Sequence, residues 1–528
     1  LNADEVIGTG INYMLRSLDP YTIYYPEEKV KDLDLMISGK YAGVGALIRY
    51  NFLLKNTVID EPYENMPAAE VGLKKGDVIL AIGDSSMVGK DVAYVSNHLR
   101  GDAGTTFILT IQRPSVNKKM KFKITRRAIQ LPAVPYYGVQ DGGVGYLNLN
   151  SFTTGCAKDV RRAFLDMKKQ GMTSLVFDLR NNGGGSLQEA VNIVNMFVPK
   201  GITLVKTVGK MERANKEYKT TVEPIDTVMP IVVLVNDETA SASEITSGSL
   251  QDLDRAVVLG TRTYGKGLVQ VSMDLPYNGN LKLTSSKYYI PSGRCIQAIN
   301  YKHANGGYTE HVPDSLTHVF HTANGREVRD GGGIKPDVEV RPDSLPNIAF
   351  YLASSGRDST EVMWNWELQY LKKHPTIGPA KTFVISDADF EDFKQAVLKS
   401  GFKYDRESKK YLENLVKLAK FEGYYDDAKG EFDALEKKLN HNLAKDLDYN
   451  KQTLKKVLTS DLVSAYYYQK GSLENSLQFD KQWKKAVEIL KNPAEYKKLL
   501  QPVVGQPLVK LEPASNVAVD KKQKSKAK

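Results

Sequence analysis

The spacing of apolar positions changes three times along the chain. Val6, Ile7, Ile11, Met14, Leu15 and Leu18 recur at the three-to-four-residue interval of an amphipathic helix. Asp19-Pro20 closes that helix, because the residue before a proline avoids helical backbone. This predicts a helical lead-in over 1–40 that packs on the core. From residue 41 the pattern turns to short apolar runs punctuated by glycine. Gly43-Val44-Gly45-Ala46-Leu47-Ile48 reads as a glycine loop entering a strand, 67–73 as a short helix with a glycine exit, and 76–82 and 107–113 as strands. A small β-rich domain over 41–127 follows. Over 128–344, apolar runs at 144–152, 175–179, Ile231–Val235 and 256–259 alternate with helical segments near 157–169 and 187–197, which is the signature of an α/β core. Tyr288-Tyr289-Ile290 then reads as a strand before the turn Pro291-Ser292-Gly293. Beyond 345 glycine thins out. Leu412, Leu415, Leu418 and Phe421, then Leu435, Leu439 and Leu443, keep helical spacing, so 345–510 reads as a helical region. Residues 511–528 are polar and basic, the composition of a disordered tail.

Composition changes this picture little. A chain of 528 residues, 41% hydrophobic and 25% charged, is globular and too long for one core. The formal net charge of +10 raises the question of nucleic acid, but neither zinc-finger spacing nor an RNA-binding aromatic signature is present. A basic face and a basic tail account for it, and no nucleic-acid partner is expected. Two cysteines, Cys156 and Cys295, make no disulfide framework and leave the redox compartment open. No apolar stretch reaches the roughly 18 residues of a transmembrane helix. The chain opens on Leu-Asn-Ala-Asp without an initiator methionine, as expected of a processed form whose targeting segment is not in this sequence.

The stretch richest in chemistry is Asn236-Asp237-Glu238-Thr239-Ala240-Ser241-Ala242-Ser243-Glu244, between the apolar run Ile231–Val235 and a helix through Ile245. A serine at a strand-to-helix junction sits on a sharp turn, where the following N–H groups favour negative charge. Small neighbours let a substrate backbone approach. A serine here also suits a plain helix N-cap, and as a nucleophile it needs a base. None of the seven histidines lies in a small-residue loop beside an apolar strand. His318-x-x-His321 with His303 and His311 matches no strong zinc spacing, so no metal or other cofactor is expected. Lys266, in Tyr264-Gly265-Lys266-Gly267-Leu268-Val269-Gln270, is the other candidate base. Flanking glycines suit close packing and an inward side chain, and burial lowers a lysine pKa enough for a neutral amine to accept a proton. A solvated turn lysine is the competing reading. Gln270 would orient the amine if the two share a helix face or a turn. Asp178-Leu179-Arg180-Asn181-Asn182-Gly183-Gly184-Gly185 runs from a strand into a glycine loop whose N–H groups, with that of Ala242, could form an oxyanion hole. No phosphate-loop pattern is present.

Together these stretches resemble the carboxyl-terminal processing peptidases, or tail-specific proteases, over roughly residues 8–340. Further matches are Leu18-Asp19-Pro20 with Tyr24, Leu99-Arg100-Gly101, Tyr288 to Gln297, and Gly331-Gly332-Gly333-Ile334-Lys335-Pro336-Asp337. The resemblance implies a crotonase-like α/β protease core with an inserted PDZ domain over 41–127. It implies Ser241 rather than Ser243 as nucleophile, Lys266 as base with Gln270 as helper, and an oxyanion hole from Gly185, with Gly184 beside it, and Ala242. The PDZ loop Gly43, Val44, Gly45 and Ala46 would hold the terminal carboxylate of a protein or peptide substrate. The helical region resembles extensions of the long Bacteroidetes-type members, and would serve homo-oligomerisation, capping, or binding of an adaptor or activator. A periplasmic or envelope location in a Gram-negative bacterium is implied. Two other classes compete: a catalytically silent PDZ-bearing peptide-binding protein or chaperone, and a crotonase-type acyl-CoA enzyme. Intact Ser241, Lys266 and Gln270 weigh against the first; the lack of an acidic pair beside the glycine loop weighs against the second.

Overall fold

The computed structural model describes residues 3–298, 313–354, 356–439 and 442–502. The tail expected over 511–528 lies outside them, as do His303, His311 and His441. The chain divides into two compact units. One holds the segments up to Lys40, Leu131–Pro342 and from Asp480 onward; the other holds Tyr41–Gln130 and Asp343–Phe479.

The first unit is built on a six-stranded sheet ordered Tyr136–Gln140, Val144–Asn148, Ser174–Asp178, Ile231–Val235, Val257–Gly260, Val338–Glu339. The first pair is antiparallel and the remaining pairs are parallel. The strands Val144–Asn148, Ser174–Asp178 and Ile231–Val235 are buried at every residue, which is why the sequence showed continuous apolar runs there and no alternation. Helices Cys156–Lys169 and Leu187–Val194 contribute Val160, Phe164, Val191 and Val194 to the same core as Phe177 and Val233. Each such buried side chain contributes roughly 1.5–3 kcal/mol.

A second sheet, absent from the sequence reading, joins Ile23–Tyr25, Asn280–Tyr289, Thr203–Gly209 and Lys216–Lys219, with Leu268–Asp274 also paired to Asn280–Tyr289. Its strands are only partly buried and mix Lys, Ser and Thr with their apolar residues, so they carry no continuous apolar run.

In the lead-in, helix Ala3–Leu15 buries none of its residues but is tied to the strand Ile23–Tyr25 by the Asn12 amide, which exchanges hydrogen bonds with the Tyr24 backbone, while Asp19, Thr22 and Leu33 are buried. The helical region expected over 345–510 is divided. Its last helices, Lys481–Leu490 and Pro493–Leu499, belong to the first unit. Trp483 meets Tyr146 edge-on with ring centres 5.5 Å apart. The Tyr496 hydroxyl accepts from Ile231 N–H at 3.0 Å and donates to its carbonyl at 3.2 Å. Helical periodicity identifies an apolar face but not the neighbour that covers it.

In the second unit, Ala46–Asn51, Asn56–Pro62, Val78–Ile82, Thr106–Arg113 and Lys118–Thr125 form an antiparallel sheet in that order, flanked by helix Val92–Leu99. Ala46–Asn51 is an edge strand, paired on one side. The helices of Asp343–Phe479 have their own core around Trp366, Phe390, Phe393 and Leu458. Trp364 joins this part to the sheet by packing with Val58 and Val78.

Candidate active site

Ser174–Asp178, Ile231–Val235 and Val257–Gly260 are neighbours running in one direction, so the loops leaving their carboxyl ends converge. In parallel α/β sheets this end is where ligands bind. The three loops carry Gly183-Gly184-Gly185, Ser241 and Lys266 respectively.

Ser241 has φ +56 and ψ −116, backbone that a non-glycine residue rarely adopts and that costs on the order of 1–3 kcal/mol. The helix Ala242–Asp252 begins immediately after it. Its side chain is half-buried, whereas Ser243 is fully buried and donates its hydroxyl to the Asn182 carbonyl at 2.8 Å. Geometry thus separates two serines that local sequence could not.

Asn182 organises the glycine loop. Its Nδ2 donates to Leu149 O at 2.6 Å and its Oδ1 accepts from Gly184 N–H at 2.9 Å. Gly184 therefore cannot offer its N–H to a ligand, contrary to its expected place in the oxyanion hole. Its contribution is room: a Cβ there would lie 2.7 Å from Ala240 O, 2.8 Å from Ser241 Cβ and 2.9 Å from Ala242 N. Gly184→Ala is expected to lower stability by about 2–4 kcal/mol through this overlap and its φ of +97, and to reduce activity with it. Urea denaturation beside a peptide-cleavage assay checks this, and unchanged stability would deny the close approach. The N–H groups of Gly185 and of Ala242, the first helical residue, have no acceptor among the described residues.

The residue that ties the site together is one sequence reading left without a role. Glu244 is fully buried. One carboxylate oxygen accepts from Ser241 N–H and Lys266 N–H, both at 2.8 Å. The other accepts from Gly265 N–H at 2.7 Å and the Thr263 hydroxyl at 2.6 Å. Burial pushes its pKa above the usual carboxylate value, and the four donors oppose that. The spacing Ser241-x-x-Glu244 is a capping-box pattern, a signal that could have found it. The Tyr288 hydroxyl also spans both segments, 2.7 Å from Lys266 O and 3.3 Å from Ser241 O.

The Lys266 side chain is largely shielded. Burial, and secondarily the positive charge of Lys282, pull its pKa down to about 8 against the opposing carboxylates of Glu244 and Asp19. Its Nζ lies 4.5 Å from the Tyr21 ring centre and is not hydrogen-bonded to Ser241. Gln270 differs from expectation. It lies on the strand Leu268–Asp274, after a register shift at Val269, not on a helix or turn shared with Lys266. Its Nε2 donates to Thr284 Oγ1 at 3.2 Å, and that hydroxyl in turn donates to Asp19 at 3.0 Å. Tyr21, Asp19 and Lys282 were not foreseen here, because they arrive from the lead-in and the second sheet.

In the second unit, the Val44 carbonyl accepts from Ala68 N–H and the Gly45 carbonyl from Tyr63 N–H, both at 2.9 Å. This fixes Gly43-Val44-Gly45-Ala46 and leaves the Val44 and Gly45 N–H groups without an acceptor among the described residues. They stand at the start of the edge strand Ala46–Asn51.

Comparison with known proteins gives this arrangement its class. Residues 143–303 match peptidase family S41, residues 58–113 match the PDZ domain, and residues 351–490 match the C-terminal helical domain of probable PDZ-proteases. A carboxy-terminal-processing protease of Bartonella bacilliformis is 37% identical over 300 residues, covering 56% of this chain and 68% of its own. A probable CtpA-like serine protease of Staphylococcus aureus is 31% identical over 425 residues, covering 79% and 72%. Among solved structures, a photosystem II D1 C-terminal processing protease is 27% identical, covers 65% of this chain and 84% of its own, and has a TM-score of 0.36. The family match and the two curated relatives define a serine-type endopeptidase that acts on proteins. The chain belongs to peptidase family S41, among the carboxy-terminal-processing proteases.

Proposed function

We propose that the enzyme cleaves proteins presented by their C-terminal tails, with Ser241 as nucleophile and Lys266 as general base. The observation that carries this is the Glu244 carboxylate, which holds the backbone N–H of both residues on one oxygen. In the acylation step, neutral Lys266 Nζ takes the Ser241 hydroxyl proton as Oγ bonds to the scissile carbonyl carbon. The oxyanion is received by the N–H groups of Gly185 and Ala242. The Lys266 ammonium then protonates the leaving amine, the C–N bond breaks, and an acyl-enzyme remains for water to hydrolyse by the same proton path. Gln270, whose Nε2 is held by Thr284, keeps its carbonyl oxygen as the helper that orients the ammonium.

The parallel sheet with its loops gathered at the carboxyl ends supports the crotonase-type reading of the core. The resemblance to tail-specific proteases supports a bacterial envelope location. Helix Glu407–Glu422, with Tyr411, Leu415, Leu418 and Phe421 exposed, supports an adaptor-binding or self-association role for the helical domain.

Tail recognition is assigned to the Val44 and Gly45 N–H groups and the strand edge beside them. An unstructured protein with an apolar tail should be cut at least about tenfold faster as the free acid than as the C-terminal amide, which removes the charge these N–H groups receive. Intact mass spectrometry of time courses reads both. Equal rates would remove the tail from the reading and leave an endopeptidase of other selectivity.

A further inference from the structure

The edge strand Ala46–Asn51 sends alternate side chains to opposite faces. Ala46 and Ile48 pack on the PDZ core together with helix Val92–Leu99. Leu47 and Arg49 line a cavity of about 420 Å³, walled on its far side by the helical domain. In the neighbouring strand the pairing steps from Glu61 to Ile59, leaving Asp60 as an extra residue. That bulge lets two consecutive carboxylates, Asp60 and Glu61, line the same cavity.

Six carboxylates and two cations line the space. Three of the carboxylates are matched locally. Glu361 binds Arg49 at 2.7 Å, Asp358 takes the N–H groups of Thr360 and Val362, and Glu61 takes the Ser464 hydroxyl and Gln469 N–H. The other three, Asp60, Glu367 and Asp461, share Lys75, whose Nζ is 3.1 Å from Glu367 and 3.7 Å from Asp60, and the Glu367 and Asp461 side chains are hydrogen-bonded to each other. The Glu367 side chain is 3% exposed, and its Oε1 is buried with no donor. Burial, with the push of Asp461 and against the pull of Lys75, raises the Glu367 pKa, so one proton is held between Glu367 and Asp461. Even with that proton, carboxylates outnumber cations in the lining. The Arg49 guanidinium and Lys75 Nζ lie 4.0 and 4.8 Å from the Trp364 ring centre, so the wall already accommodates cationic groups against an aromatic face.

We propose that this cavity is a subsite for a lysine or arginine side chain of the substrate tail. The proposal rests on the tail reading above. A tail added along the edge strand alternates as the strand does. With its carboxylate at Val44 and Gly45 and its last side chain toward helix Val92–Leu99, the penultimate and fourth-from-last side chains leave toward the cavity. An ammonium or guanidinium there supplies positive charge to a lining in which carboxylates outnumber cations.

The test uses the full chain carrying Ser241→Ala, so that tails are bound and not cut. Fluorescence anisotropy compares apolar tails that differ only at the penultimate and fourth-from-last positions, carrying Lys, Ala or Glu, with an amidated Lys tail as control. The Lys tail is expected to bind about tenfold tighter than the Glu tail, with a ratio that narrows as salt rises. Moving lysine to the third-from-last position should forfeit the gain. Glu367→Gln and Asp461→Asn, each checked for folding by circular dichroism, should reduce the Lys preference while leaving the Ala tail unchanged. The comparison of tails on the unaltered cavity stands even if those variants unfold. Equal binding of Lys, Ala and Glu tails, all tighter than the amide, would overturn the subsite and leave tail recognition intact. Equal binding of acid and amide would overturn both.

Discussion

Ser241→Ala is expected to remove peptide hydrolysis, by at least about 10⁴-fold in kcat, while leaving the protein folded. The loss follows from the covalent step, which needs the Ser241 Oγ. The fold should tolerate the change because alanine adopts φ +56 with the same strain as serine. The site is held from the backbone, by Ser241 N–H on Glu244 at 2.8 Å and by Tyr288 on Ser241 O at 3.3 Å. Ser243→Ala is the informative contrast. It removes a hydroxyl that donates to Asn182 O, a carbonyl that also accepts from Ala240 N–H at 3.0 Å and so stays satisfied. Its cost should be about 1 kcal/mol of stability and less than tenfold in rate. Intact mass spectrometry of a cleaved unstructured protein reads the activities, and thermal melts read the stabilities. Full activity in Ser241→Ala with loss in Ser243→Ala would transfer the nucleophile to Ser243.

Those two serines also mark how far sequence carries. The buried strands Val144–Asn148, Ser174–Asp178 and Ile231–Val235 were legible because burial on both faces leaves uninterrupted apolar runs. With them came the positions of the glycine loop, of Ser241 and of Lys266, since a loop at the carboxyl end of a buried parallel strand is where such chemistry gathers. The second sheet was not legible, because Asn280–Tyr289 carries Lys282, Thr284, Ser285, Ser286 and Lys287 among its apolar residues. For the same reason the element that carries Gln270 was not legible: its strand is recognisable only through the pairing with Asn280–Tyr289. The choice between Ser241 and Ser243 depends on a φ angle and on one hydrogen bond to Asn182, 61 residues away in sequence. Neither is a property of the local run of residues. Glu244 was left without a role: a capping-box spacing from Ser241 could have marked it, but its second function needs Thr263, Gly265 and Lys266 brought against the helix start. The pattern predicts the element; the tertiary fold adds the partners.

Lys266→Ala should lower kcat/KM by about 10³-fold, the scale of a lost general base, and Lys266→Arg should not restore it because a guanidinium stays charged. The stronger evidence lies in the pH profile. With a pKa near 8, the competent neutral amine is the minor form at pH 7, and activity should climb close to tenfold per unit below that value before levelling above it. A base with the ordinary lysine pKa of about 10.4 would place this limb more than two units higher. Glu244 supplies a control that separates electrostatics from support. Its negative charge holds the Lys266 pKa up, so Glu244→Gln, by removing the charge, should move the limb to lower pH. The same substitution turns an amide –NH₂ toward backbone N–H donors, so the maximal rate should fall even as the limb shifts. A residue that merely braced the fold would lower the plateau without moving the midpoint. Lys282→Ala should move the limb the other way, because the neighbouring positive charge that depresses Lys266 is gone. Two opposite shifts from two opposite charges would identify the titrating group as Lys266; a limb that ignores both substitutions would assign the proton transfer to another residue.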